Sequence, residues 1–327
     1  MQAWQVIEPG EPGDALELRE VADPEPGEGQ LLVRMHAAAL CFPDLLMCRG
    51  QYQVRPPSPF TLGVEGAGEV LAAGAGVTGF AAGDRVLGMP VTGSLAELAL
   101  FDGARAYRAP DELDSDGAAA LHMNYQTAHF ALHHRAGLRA GETVLVHAAS
   151  GGVGSAAVQL AKAAGARVVA VVGGPAKVDV VRGLGADVAV DRLAEDFVAV
   201  VKEVTGGAGV DVVIDPVGGD AYTRSTKCVA FEGRIVIIGF TGGSFAQAAT
   251  NHILIKNYAV LGLHWGMYTW KAPQLVAAVH DELVAGVRAG AVRPLVSERL
   301  AMADAPAALD RLGAGRTTGR LVVHPGR

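Results

Sequence analysis

The chain has 327 residues, half of them hydrophobic and 19% charged, which suits two domains of ordinary size and excludes wholesale disorder. A net charge of −7 gives no global attraction to nucleic acid. Three cysteines (Cys41, Cys48, Cys228) without a CxxC pair exclude a disulfide framework, and no apolar run approaches the roughly 20 residues of a membrane span.

The N-terminus, "MQAWQVIEPGEPGD", lacks the basic start and apolar core of a signal peptide, so a cytoplasmic protein is expected. Up to about residue 120, short β-like runs alternate with Gly/Pro turns: "AWQVIE", "QLLVRMHAAAL", "GAGEVLAAG", "DRVLGMP" and "LAELALF". Pro24, Pro26, Pro56, Pro57 and Pro59 punctuate this part, as in an irregular β domain. A helical stretch, "NYQTAHFALHHRAGL", follows. His129 and His133 stand four apart on it beside His134; without an acidic neighbour in sequence they read as half-exposed helix residues, not metal ligands. Next come the strand "ETVLVHAA" and a glycine turn entering an Ala-rich helix. Beyond them the runs "RVVAVV", "DVAVD", "VDVVIDPV" and "GRIVIIGF" alternate with helical segments. Apolar strands in strict alternation with helices predict a parallel sheet buried on both faces. The helix "APQLVAAVHDELVAGVRAG" then precedes two β-like runs, "LVSERLA" and "GRLVVHP", whose segment is expected to return to the first domain.

"VLVHAASGGVGSAAVQLAKAAGA" sets Ala149, Gly151 and Gly154 where the dinucleotide fingerprint GxGxxG sets its glycines. Gly151 lets backbone approach a pyrophosphate, Gly154 lets the helix pack on the strand, and free N–H groups at the helix start favour the negative charge. At the end of the second strand an NAD enzyme carries an acid for the ribose hydroxyls, but this chain has Gly173. Lys177 one turn later and Arg192 after the next strand suit the 2′-phosphate of NADP.

These motifs resemble the medium-chain dehydrogenase/reductase superfamily, and within it the zinc-free NADPH:quinone oxidoreductase (zeta-crystallin-like) family. The likeness runs along nearly the whole chain, through "FPDLLMCRGQY", "GVEGAGEV", "AGDRV", "NYQTAHFAL", "LGAD", "GVDVVIDPVGG", "GRIVIIG" and the closing "GRLVV". It implies an α/β protein: a GroES-like β-rich substrate domain (1–122 with 266–327) and a Rossmann NADP-binding domain with a doubly wound parallel sheet (123–265). It also implies a cleft between them and a homodimer formed through the Rossmann sheets.

In the zinc members of that superfamily, a Cys, the His of a "GHE" triplet and a further Cys or Asp hold the metal. Here Cys41 occupies the first position, but the triplet is "GVE", so Val64 takes the second, and the third falls near Met123. One thiolate beside a valine and a thioether cannot hold catalytic zinc, so no metal is expected. Hydride transfer to an electron-poor acceptor needs only positioning and a proton source. The expected activity is therefore NADPH-dependent reduction of a small-molecule quinone or enone-type double bond.

The candidate catalytic residues come from "CFPDLLMCRGQY": Tyr52 as proton donor or packing residue, Asp44 as acid or loop-structuring residue, and Cys41 as a pocket-lining thiol. Related quinone reductases carry Asn at the Cys41 position, and a thiol is a weaker donor. By resemblance, Asn124 and Thr127 lie near the nicotinamide, and Gly152 and Val153 meet the pyrophosphate through backbone. Val217, Phe240, Leu263 and Trp265 surround the ribose and carboxamide, and Arg320 is a further phosphate candidate. Trp265, Met267, Tyr268 and Trp270 form an aromatic patch for a pocket roof or a dimer interface. Two rival readings share the fold: an enoyl-thioester reductase, and an NADPH-binding protein of zeta-crystallin type without turnover.

Overall fold

The computed structural model describes residues 1–91 and 93–326, in two compact units. One holds residues 1–123 and the segment from Pro294 onward; the other runs from Asn124 to Arg293. The return to the first unit thus begins at Pro294, not at residue 266. The cause lies in the helix Pro273–Arg288, which is tied into the second unit. Gln126 Nε2 donates to the Val276 carbonyl at 2.8 Å, and the Arg293 carbonyl accepts from the Tyr125 hydroxyl (2.9 Å) and the Gln159 amide (3.1 Å).

In the first unit, strand Gln30–Leu40 pairs antiparallel with both Gly66–Ala73 and Leu98–Arg108, and Arg85–Pro90 joins those two. Four strands therefore close on themselves, which removes open edges. Leu31, Val33 and Met35 alternate inward along Gln30–Leu40 to meet Val70, Val86 and Phe101. The final strand, Arg320–His324, pairs antiparallel with the far end of Gln30–Leu40, Leu321 opposite Leu40. A second core joins Trp4 and Leu62 to Leu309 and Leu321, so the returning segment completes the unit's interior. Sequence patterning missed the helix Phe42–Cys48, whose seven residues are too few to show a helical period.

The second unit is a six-stranded parallel sheet in the order Val188–Asp191, Arg167–Val172, Thr143–Val146, Val210–Asp215, Val229–Ile237, Ala259–Gly262. Val144, Leu145, Val146, Val168 and Val169 have no exposed surface, as strands covered on both faces require. The order reverses direction beside Thr143–Val146, and ligands of such sheets bind at that switch point, outside the strands' carboxyl ends. Among the described residues no helix is long and apolar enough to cross a membrane.

The helix Ser115–His129 runs on into a π-helical turn, Phe130–Arg135. His129 does have an acidic partner: its Nε2 lies 2.8 Å from Glu282 Oε2, a residue too distant in sequence to be linked by local spacing.

His147, just past the first strand of this sheet, is 2% exposed, 2.8 Å from Ser225 Oγ and edge-on to Phe197. Burial lowers its pKa to about 4, against the opposing pull of Asp215. An unfolded histidine binds a proton near pH 6.5, so between pH 6.5 and 4 the unfolded state takes up a proton that the native state refuses. Stability from this group is present above pH 6.5 and falls on acidification, by up to about 1.4 kcal/mol per pH unit. Urea unfolding at pH 7 and pH 5 should show that slope, and His147→Gln should flatten it.

Candidate functional site

The second unit builds an anion cradle. Helix Gly152–Ala163 starts at Gly151 without a side-chain cap, and its first internal bond runs from Ser155 N–H to the Gly151 carbonyl. The N–H groups of Gly152, Val153 and Gly154 precede that bond, at a helix start whose dipole favours negative charge. Gly154 has no room for a side chain: a Cβ there would lie 2.2 Å from the Ala148 carbonyl oxygen. Ala149 departs from the fingerprint without strain, because the left-handed residue of this turn is its neighbour Ala148 (φ 48°). Asn124, 4% exposed, aims its Nδ2 at Gly152, 2.5 Å from where a Cβ would stand. That Nδ2 has no hydrogen-bond partner among the described residues, so a buried donor is left for a ligand. Thr127 is buried on the same helix, three residues on.

Gly173, Lys177 and Arg192 do come together. A Cβ on Gly173 would lie 3.3 Å from Arg192 Nη2, so the guanidinium sits directly over the turn. Burial lowers the pKa of Lys177, and Arg192 adds to the effect. Two cations held as neighbours are a standing repulsion that an anion relieves. Asp191, which sequence reasoning missed, lies beside them: its Oδ1 accepts from Gly174 N–H (2.8 Å) and Leu193 N–H (3.0 Å), and these bonds, with the charge of Arg192, lower its pKa. Those bonds tie together the two turns that carry Gly173 and Arg192.

Asp215, at the end of strand Val210–Asp215, holds the next loop by accepting from the N–H groups of Val217 (2.8 Å) and Gly218 (2.9 Å). Phe240 packs on Gly218 and edge-on to Phe245. Leu263 and Trp265 are buried, whereas Trp270 of the expected aromatic patch is 69% exposed. The uncapped helix start, the orphaned Asn124 amide and the paired cations fit a dinucleotide bearing an extra phosphate.

The first unit carries the other candidates. Cys41 caps helix Phe42–Cys48: its N–H and its thiol both donate to Asp44 Oδ2, at 2.9 and 3.0 Å. Asp44 Oδ1 accepts from Val64 N–H at 3.0 Å, and Asp44 has no exposed surface. Asp44 thus structures the loop and is not a solvent-facing acid. Burial pushes the Cys41 thiol well up and raises the Asp44 carboxyl as well. Tyr52, half-buried, is pushed up to about 12 by burial and by the neighbouring Cys41 and Asp44, so its phenol is a proton-bearing donor at neutral pH.

Arg320 corrects the sequence expectation. It is 4% exposed, and its Nη2 donates to Glu65 Oε2 at 2.7 Å and to the Ala39 carbonyl at 2.9 Å. Instead of a guanidinium free for phosphate, the structure has a buried ion pair whose Glu65 also accepts from Met123 N–H at 2.6 Å. The glutamate of the "GVE" triplet was the available signal, hidden because its partner is 255 residues away.

Zinc does not fit here. Cys41 is a thiol committed to Asp44, Val64 offers no donor, and Met123 offers only a thioether. Among the described residues no three His, Cys, Asp or Glu side chains are arranged to hold a metal ion.

Residues 27–111 match the alcohol dehydrogenase GroES-like domain, and residues 152–280 match a domain described as zinc-binding dehydrogenase. The quinone oxidoreductase of Pseudomonas aeruginosa is 35% identical over 95% of this chain and 96% of its own length. Quinone oxidoreductase-like protein 2 of Rattus norvegicus is 41% identical, over 77% of this chain and 73% of its own. Among solved structures, a mycobacterial protein complexed with NADPH superposes with a TM-score of 0.93 at 31% identity, covering 99% of this chain and 100% of that one.

Proposed function

This chain belongs to the quinone oxidoreductase family of the medium-chain dehydrogenase/reductase superfamily, and on that premise we propose that it is a zinc-independent, NADPH-dependent reductase of quinones or enone-type double bonds. The observation that carries this reading is the neighbouring Lys177 and Arg192 beside the Gly173 turn, where an NAD enzyme would have an acid. NADPH, when bound, supplies the hydride. Lys177 and Arg192 take its 2′-phosphate, and the N–H groups of Gly152 and Val153 hold the pyrophosphate at the helix start. The unpartnered Asn124 amide orients the nicotinamide half, with Thr127, Val217, Phe240, Leu263 and Trp265 about the ribose and carboxamide. Tyr52 keeps its proton at neutral pH and donates it to the developing enolate or hydroquinone anion. Cys41 and Asp44 hold the loop before it.

The enzyme works in the cytoplasm as a homodimer. Phe231, Leu254 and Ile255 are each more than 70% exposed near the sheet's edge strand, Ala259–Gly262, which among the described residues has a partner on one side only. Such an apolar edge suits a second copy.

The test is NADPH consumption across quinones, enones and enoyl-thioesters, with and without a chelator. Quinones or enones should be turned over whether or not the chelator is present, and Tyr52→Phe should lower kcat/KM by about 10²-fold. Turnover of thioesters alone, tight NADPH binding without turnover, or activity abolished by the chelator would each overturn the reading.

A further inference from the structure

The loop of residues 51–59, after helix Phe42–Cys48, borders a cavity of about 160 Å³. Met47, Val54, Pro56 and Phe60 supply apolar wall, and Tyr52 and Arg55 supply polar groups. An apolar cavity of about 150 Å³ is large enough to take one benzene ring. The lining's charge is one-sided: among the described residues Arg55 is its single charged side chain. Arg55 Nε donates to the Tyr52 carbonyl at 3.0 Å, which engages one of its three guanidinium nitrogens. No described carboxylate pairs with Arg55, whereas nearby Arg49 is taken up by Glu11 at 2.8 Å. Val54, an apolar wall residue, is 61% exposed, so the cavity has an apolar mouth beside a free cation. Tyr52 belongs both to this lining and to the surroundings of Cys41 and Asp44, which act on its phenol.

We propose that this cavity is a subsite for the non-reacting part of the acceptor, taking an apolar ring that bears an anionic substituent, with Arg55 selecting the charge. A guanidinium meets a carboxylate or sulfonate in a two-pronged fork, and no acid in the lining competes for it. The wall is too apolar, and the volume too small, for a whole nucleotide. The preferred substrates are therefore quinones or enones carrying an acidic group on a ring-sized apolar substituent. This rests on the reductase reading for its chemistry, but the binding it describes does not depend on turnover.

Two measurements on the full chain test it. In ligand-observed NMR titrations, benzenesulfonate should bind about 5- to 10-fold more tightly than its neutral near-isostere benzenesulfonamide. Arg55→Gln should erase that difference, and Val54→Trp, a change at an exposed position, should weaken both ligands by filling the mouth. In steady-state assays, the ratio of kcat/KM for 1,4-naphthoquinone-6-sulfonate, whose anion sits on the non-reacting ring, to that for 1,4-naphthoquinone should fall by about 5- to 10-fold in Arg55→Gln. Equal affinities in the titration, or a difference that survives Arg55→Gln, would overturn the subsite while leaving the reductase reading intact. An Arg55-dependent difference in a protein that reduces no acceptor would uphold the subsite and remove the reductase reading instead.

Discussion

Replacing Lys177 and Arg192 together by Gln is expected to weaken NADPH binding by about 100-fold and to leave NADH within about two-fold. Arg192 lies over the Gly173 turn, and its proximity helps to lower the pKa of the half-buried Lys177. Without a ligand the two cations repel each other; with a phosphate between them the repulsion becomes two charge-assisted hydrogen bonds. Each is taken as about 1.5 kcal/mol, the low end for bonds to charged groups, because Arg192 is exposed. Two such bonds amount to about two factors of ten. Fluorescence titration with each cofactor gives the ratio directly. An equal loss for NADH would mean that the cations serve the fold or the pyrophosphate rather than the 2′-phosphate.

Arg320→Leu is expected to lower the stability of the unliganded protein by about 3–5 kcal/mol, with a smaller loss in the double variant Arg320→Leu/Glu65→Leu. Glu65 has no exposed surface, and burial raises its carboxyl pKa even with Arg320 opposing. Without Arg320 the carboxylate must stay charged in an apolar interior or take up a proton. A carboxyl whose native pKa lies above its unfolded value contributes stability below the unfolded pKa and loses it as pH rises through the native one. The single variant should therefore be hurt more at pH 8 than at pH 5, and the double variant should show no such difference. Urea unfolding at both pH values checks this. A single variant as stable as the wild type would mean that water reaches Glu65.

Much of the candidate site was legible because its signals are local. The glycine turn at 151–154, the missing acid at Gly173 and the two cations all lie within or beside one βα unit, where strand and helix fix their separation. The structure brings Gly173, Lys177 and Arg192 to one place. Residues whose partners lie far along the chain were not legible. Local spacing gives His129 no acid, yet Glu282 reaches it from the helix Pro273–Arg288. The resemblance offers Arg320 to phosphate, yet it is buried against Glu65. The return point moved to Pro294 because Gln126, Tyr125 and Gln159 hold that helix and its end in the second unit.

The sequence by itself determined the alternation of strands and helices, the parallel sheet, the glycine cradle and the unsuitability of Val64 as a zinc ligand. These follow from residue type and short-range spacing, which side-chain period and backbone sterics convert directly into local structure. Only the tertiary structure decided which partners Cys41, Asp44, Glu65 and Arg320 bond to. Those partners are brought together by strand pairing, above all by the last strand, Arg320–His324, lying against Gln30–Leu40. The charge of Arg55, which pairs with no carboxylate among the described residues, is of the same kind, since that is a property of packing and not of spacing.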